Sequence, residues 1–164
     1  MKVFLIGLPG SGKSTIGAAV ASHLALEFVD LDKEIETREG MPIPEIFSSK
    51  GEAYFRRVES ELLLQWATLS RSFIMSTGGG TPCFHNGIQV INDHGLSIFL
   101  DEDIDVIISR LENNKQRPLL NSVDAEDMRS KLQRLREARI SFYQLARVRL
   151  VSPTVEAVVE AISN

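Results

Sequence analysis

Gly7-Leu8-Pro9-Gly10-Ser11-Gly12-Lys13-Ser14-Thr15 decides how the rest of this chain is read. The spacing is that of a G-x-x-x-x-G-K-[ST] phosphate loop. Gly10 and Gly12 let the backbone turn its N–H groups inward, toward phosphate oxygens. Lys13 is placed to reach the β- and γ-phosphates and the Ser14 hydroxyl to hold Mg²⁺. A helix beginning near Lys13 adds its positive end to the same place. The surroundings agree. Lys2-Val3-Phe4-Leu5-Ile6 is a short apolar run suited to a buried strand, and residues 16–26 after the loop carry a helical pattern.

The same alternation continues outward. Apolar runs at 2–6, 27–30, 73–77, 96–100 and 147–151 predict strands. They are short and mostly not alternating, as in a parallel sheet covered on both faces. Helical patterns at 13–25, 31–39, 43–50, 52–69, 85–94, 102–113, 124–145 and 154–163 separate them. The result is an α/β domain of three layers, whose ligand site lies beyond the carboxyl ends of the strands.

Composition bounds the rest. A length of 164 residues, 43% of them hydrophobic, suits one domain spanning 1–164 with one core. No apolar run is long enough to span a bilayer, and no charged-then-apolar signal pattern opens the chain. Cys83, the single cysteine, excludes an internal disulfide framework and a Cys-based zinc site. A cytoplasmic setting is expected, with no membrane partner. The net charge of −4 argues against general nucleic-acid binding. Arginines at 56–57, 110, 117 and across 129–139 point instead to a small anionic ligand.

The strand ends supply the candidate chemistry. Asp30 and Asp32 follow the second strand; in extended chain their carboxylates share a side. One can assist Mg²⁺ and the other can orient or deprotonate an attacking hydroxyl. Alone, Asp32 reads as a helix N-cap; beside a phosphate loop the pair reads as chemistry. Gly78-Gly79-Gly80 ends the third strand and offers bare backbone to a ligand. Arg56 and Glu59 sit three apart on a helical stretch after Phe55, so Glu59 can orient Arg56. On spacing alone they read equally as a solvated surface pair. Asn113 to Asp124 is polar, contains Arg117-Pro118, and reads as a lid or as a plain surface loop. Arg129, Lys131, Arg134, Arg136 and Arg139 read mostly as one solvated helix face. Asp101, at the end of the fourth strand, reads as the cap of a helix starting at Asp103. The histidines share no metal-ligand spacing, and Trp66 reads as core.

Taken together, these pieces resemble a shikimate kinase nearly end to end. The pieces are the loop Gly7–Thr15, Asp30-x-Asp32, Phe55-Arg56-x-x-Glu59, Gly78-Gly79-Gly80, Arg117-Pro118-Leu119 and Arg139-x-x-x-Tyr143. The phosphate loop is shared by many kinases; the combination is specific. Pro9 stands where the family often has methionine. The resemblance implies the nucleoside-monophosphate-kinase type of P-loop kinase fold, with a five-stranded parallel sheet of order 2-3-1-4-5. It implies a substrate-binding helical segment near 31–60 and a lid near 112–124. It implies transfer of the ATP γ-phosphoryl group to the 3-hydroxyl of shikimate, in chorismate and aromatic amino-acid synthesis.

Residue roles follow from the resemblance in the same way. Gly10, Ser11, Gly12, Lys13, Ser14 and Thr15 hold ATP, with Arg110 near the nucleotide, Arg117 on the lid and Pro153 near the adenine. Ser14 and Asp30 hold Mg²⁺, the one cofactor expected. Asp32 meets the acceptor hydroxyls. Arg56 and Arg139 grip the acceptor carboxylate, helped by backbone at Gly78, Gly79 and Gly80 and supported by Phe55 and Glu59. Lys13, Asp32 and Arg117 form the catalytic set, and a monomer is expected. Two rival readings stand beside this one. A gluconate- or nucleotide-type kinase fits less well with two carboxylate-binding arginines. A non-catalytic nucleotide-binding regulatory module fits less well with the full set of polar residues.

Overall fold

The computed structural model describes residues 1–113 and 125–164. The stretch 114–124, with Arg117 and most of the expected lid, lies outside the described residues. Strand β1 (Lys2–Ile6) occupies the centre of a five-stranded sheet of order β2-β3-β1-β4-β5. Its companions are β2 (Glu27–Asp30), β3 (Phe73–Ser76), β4 (Leu96–Asp101) and β5 (Val148–Val151), and every pairing is parallel. This is the order that the resemblance implied.

Why the runs are apolar throughout is plain from the two faces. Val3 and Leu5 pack with Ile74, Ile98 and Leu100 against Ile16 and Val20 of α1 (Lys13–His23) and Val158 of α8 (Val155–Ser163). Phe4 and Ile6 point the other way, with Phe73, Met75 and Phe99. There they meet α4 (Glu52–Thr68), α5 (Gly87–His94), α6 (Ile104–Asn113) and α7 (Ala125–Tyr143). Successive strand residues alternate sides, so a sheet covered on both faces needs an apolar residue at nearly every position. The sheet edges are different. Glu27 of β2 is exposed, and in β5 Arg149 and Val151 are exposed while Val148 and Leu150 are half-buried.

Between β2 and α4 lie α2 (Leu31–Glu39) and α3 (Ile43–Lys50). The other boundaries fall close to expectation, with two informative shifts. The helix expected from 85 begins at Gly87, because His85 and Asn86 adopt φ of 49° and 57°, outside the helical region. The helix expected from 102 begins at Ile104, and it is Asp103 whose carboxylate accepts the Asp105 N–H at 2.7 Å. Asp101 therefore does not cap α6. It is 7% exposed and binds Arg136 of α7 at 2.8 Å and Arg149 of β5 at 2.6 Å. No described helix is long and apolar enough to cross a membrane.

Candidate active site

The phosphate loop leaves β1 and enters α1 with positive φ at Gly7 (148°), Gly10 (81°) and Gly12 (96°). At Gly10 and Gly12 that conformation strains any side chain, which explains the glycines. Gly12 is the N-cap of α1 and has no side chain to cap it. The first-turn N–H groups, which no helix satisfies internally, are thus left for a ligand. The loop borders a cavity of about 350 Å³, lined also by Asp30, Asp32, Ser76, Thr77, Gly78, Gly79 and Arg110. Lys13 is 7% exposed and donates to the carbonyls of Gly7 (3.0 Å) and Leu8 (2.8 Å). Burial pushes its ammonium down to about 8; Arg139 adds to this, while Asp32 and Asp30 oppose it.

Opposite the loop stand the two aspartates. Their relation differs from an extended pair, because α2 starts at Leu31, directly after Asp30. It is Asp30, not Asp32, that caps the helix, accepting from the N–H groups of Asp32 (3.1 Å) and Lys33 (3.3 Å). Asp32 sits in the first turn, yet both carboxylates still reach the cavity. The Ser14 hydroxyl donates to Asp30 at 3.0 Å, and the Ser76 hydroxyl lies 3.0 Å from that of Ser14. Since the one Ser14 proton goes to Asp30, Ser76 donates to Ser14. Burial, then the negative charges of Asp30 and Glu59, push the Asp32 carboxyl up from 3.8 to about 6, with Lys13 pulling the other way.

The glycine triplet forms the next wall. A Cβ on Gly78 would lie 2.9 Å from Glu59 Oε2 and 3.0 Å from Asp32 Oδ1. A Cβ on Gly79 would lie 2.9 Å from Arg139 Nη1 and 2.9 Å from Pro9 Cδ. A Cβ on Gly80 would lie 2.6 Å from Arg56 Nη2 and closer still to Nη1. Only hydrogen at all three positions lets both guanidinium groups, both acids and the phosphate loop crowd around one stretch of backbone. The Arg56–Glu59 pair is no surface pair. Glu59 is 2% exposed and accepts from Arg56 Nη1 at 2.9 Å and from Thr81 Oγ1 at 2.8 Å. The Arg56 guanidinium also lies over the rings of Phe84 (4.2 Å) and Phe55 (5.1 Å). Its Nε is buried without a hydrogen-bond partner, with only Glu52 at ion-pair distance, 3.5 Å.

The remaining candidates divide. Arg110 lines the cavity, donates to Gly10 O at 3.3 Å and pairs with Glu102 at 2.8 Å. Pro153 is buried two residues after β5 and is not one of the cavity-lining residues. Of the basic residues on α7, Arg129 pairs with Asp105, Lys131 with Asp127 and Arg136 with Asp101, while Arg139 alone of the five packs against Gly79. Cys83 is half-buried, and burial pushes its thiol up to about 11, which makes it a poor nucleophile. Ser76 and Thr81 are site residues that reading the sequence missed. Ser76 ends an otherwise apolar strand beside the phosphate loop's strand, a position where a hydroxyl is conspicuous.

Fold and loop define a phosphotransferase of the P-loop kinase class, with two guanidinium groups packed on the glycine triplet beside the phosphate loop. Comparison with known proteins narrows the class. A shikimate kinase family model matches residues 9–164. A shikimate kinase from Sulfurihydrogenibium sp. (strain YO3AOP1) is 37% identical over 148 residues, covering 90% of this chain and 86% of that protein. The crystal structure of shikimate kinase from Bacteroides thetaiotaomicron superposes with a TM-score of 0.90 at 33% identity, covering 99% of this chain and 96% of that one. Shikimate kinase from Acinetobacter baumannii in complex with shikimate gives 0.85 at 28% identity, covering 99% and 90%. This chain belongs to the shikimate kinase family, whose members are ATP-dependent kinases.

Proposed function

We propose that the chain transfers the γ-phosphoryl group of ATP to the 3-hydroxyl of shikimate, giving shikimate 3-phosphate and ADP for aromatic amino-acid synthesis. One observation carries this reading beyond family membership. Asp32, Gly78 and Gly79 line one cavity with the phosphate loop, and the guanidinium groups of Arg139 and Arg56 pack against Gly79 and Gly80. Two guanidinium groups suit the carboxylate of the acceptor, and the backbone N–H groups of Gly79 and Gly80 add donors. Glu59 holds the Arg56 fork in place, since a planar pair loses specificity if it can rotate.

The donor side is built from this chain's own groups. Lys13 and the first-turn N–H groups of α1 bind the phosphates, Arg110 at the cavity wall approaches the nucleotide, and Arg117, outside the described residues, keeps the role that the resemblance implies. Ser14 Oγ and Asp30 Oδ2, 3.0 Å apart, are hard oxygen donors suited to Mg²⁺, which takes few protein ligands beside phosphates. When bound, that ion would neutralise charge on the phosphate oxygens. Asp32, ionised above about pH 6, accepts a hydrogen bond from the attacking hydroxyl and can take its proton. A loose phosphoryl-transfer transition state needs chiefly this positioning and charge neutralisation.

The test is a coupled assay of ADP release with ATP and Mg²⁺, run with shikimate, gluconate and nucleoside monophosphates as acceptors. Release confined to shikimate supports the proposal. Release with another acceptor overturns the substrate, and ATP binding without turnover on any acceptor moves the chain to a regulatory module.

A further inference from the structure

Tyr143 is the last residue of α7, one turn beyond Arg139, and none of the roles above uses it. Its side chain is completely buried, with the ring 5.1 Å from that of Phe99. Its hydroxyl donates to the carbonyl oxygen of Gly79 at 2.7 Å. Gly79 is the glycine whose missing Cβ makes room for Arg139 Nη1, so hydroxyl, peptide and guanidinium meet at one point. The phenol has one proton, given to Gly79, and the Arg139 guanidinium packs against that same residue. Burial holds the hydroxyl up at about 12, with Arg139 pulling it down only in part, so it stays a neutral donor.

We propose that Tyr143 is a positioning residue for the acceptor: its hydroxyl fixes the Gly79 peptide and the Arg139 guanidinium relative to each other. The inference rests on the acceptor reading above. The two carboxylate-binding arginines are then held by different means. Glu59 holds Arg56 through a buried ion pair, which neutralises part of its charge. Tyr143 holds Arg139 without an opposing charge and leaves that cation to the acceptor. The same hydroxyl also ties the end of α7 to the glycine wall.

Tyr143→Phe keeps the ring packing and removes only the hydroxyl. Steady-state kinetics should show the KM for shikimate raised about tenfold, as expected for one lost buried hydrogen bond, with the KM for ATP within about twofold of wild type. An acceptor analogue whose carboxylate is reduced to a hydroxymethyl group separates positioning from general damage. Wild type should use it poorly, and Tyr143→Phe should be no worse with it than wild type. The Arg139→Ala and Tyr143→Phe effects should also be strongly non-additive. An unchanged KM for shikimate, an equal loss with both acceptors, or full additivity overturns the inference. Were Tyr143→Phe to misfold, Arg139→Lys tests the same geometry. It keeps the charge but lacks a fork that can meet both Tyr143 and a carboxylate, so retained shikimate affinity overturns the inference. Wild-type enzyme inactive with shikimate but active with another acceptor would instead refute the acceptor reading itself.

Discussion

Replacing Asp32 by asparagine removes a charge that the fold holds at a cost. The carboxyl is raised from 3.8 to about 6, first by burial and then by Asp30 and Glu59. Between those values the folded protein keeps a proton that the unfolded chain has released. Wild-type stability therefore falls as pH rises through this window and stays reduced above it. A shift of about two units is worth roughly 3 kcal/mol at full weight. Asp32 is only partly buried at the cavity wall, so solvent screening brings the expected value to about 1–2 kcal/mol. For a domain of this size that is roughly 2–8 °C in Tm. Urea denaturation of wild type and Asp32→Asn at pH 8 and pH 4 is the assay. The variant should be more stable by about 1–2 kcal/mol at pH 8 and nearly equal at pH 4, while turnover on shikimate falls by about 10²–10⁴. No gain at pH 8, or the same gain at both pH values, would refute the electrostatic argument, because strain relief does not titrate.

Four further outcomes follow from the same site. The pH profile of kcat/KM should be bell-shaped, rising through about 6 as Asp32 ionises and falling above about 8 as Lys13 loses its proton; a flat profile between 5 and 9 would remove both assignments. Arg117→Ala should lower kcat by about 10³ if the lid arginine acts on the transferring group, and a loss of only a few fold would reassign it. Arg139→Ala should raise the KM for shikimate by roughly 30-fold or more with little change for ATP; the reverse pattern would move Arg139 to the donor side. Glu59→Gln leaves the buried Arg56 charge uncompensated and should cost about 3 kcal/mol, seen by calorimetry as a Tm drop of roughly 6–12 °C; a drop under about 2 °C would mean that Glu52 and solvent suffice.

How legible was this protein from its sequence? The layered fold was, because β1 and the phosphate loop anchor a pattern in which the three central strands are buried on both faces. The glycine triplet was legible as a bare-backbone wall, but not its reason, which is the pair of guanidinium groups pressed against it. Asp30 and Asp32 were found as a chemical pair, but the capping role weighed for Asp32 belongs to Asp30, since nothing in Asp-Leu-Asp says whether the helix starts before or after Leu31. Asp101 was misread for a related cause. Its partners Arg136 and Arg149 lie 35 and 48 residues away, and local spacing favours a cap whenever an acid precedes a helix. On α7, Arg136 and Arg139 are three apart on one amphipathic helix, so periodicity could not tell which one faces an acid and which one faces the site. The fold assigns them by the strand end each one meets.

The Asp101 cluster has a consequence beyond the site. β5 is an outer strand of an open sheet, and its free edge is a template onto which another chain could add. Arg149 extends from the middle of that strand and is anchored to Asp101, so a charge is pinned there. At the opposite edge Glu27 opens β2 and pairs with Arg71. Any strand arriving at either border would have to accommodate or desolvate a tethered charge. Between folded copies of the chain, these ion pairs work against sheets joining edge to edge.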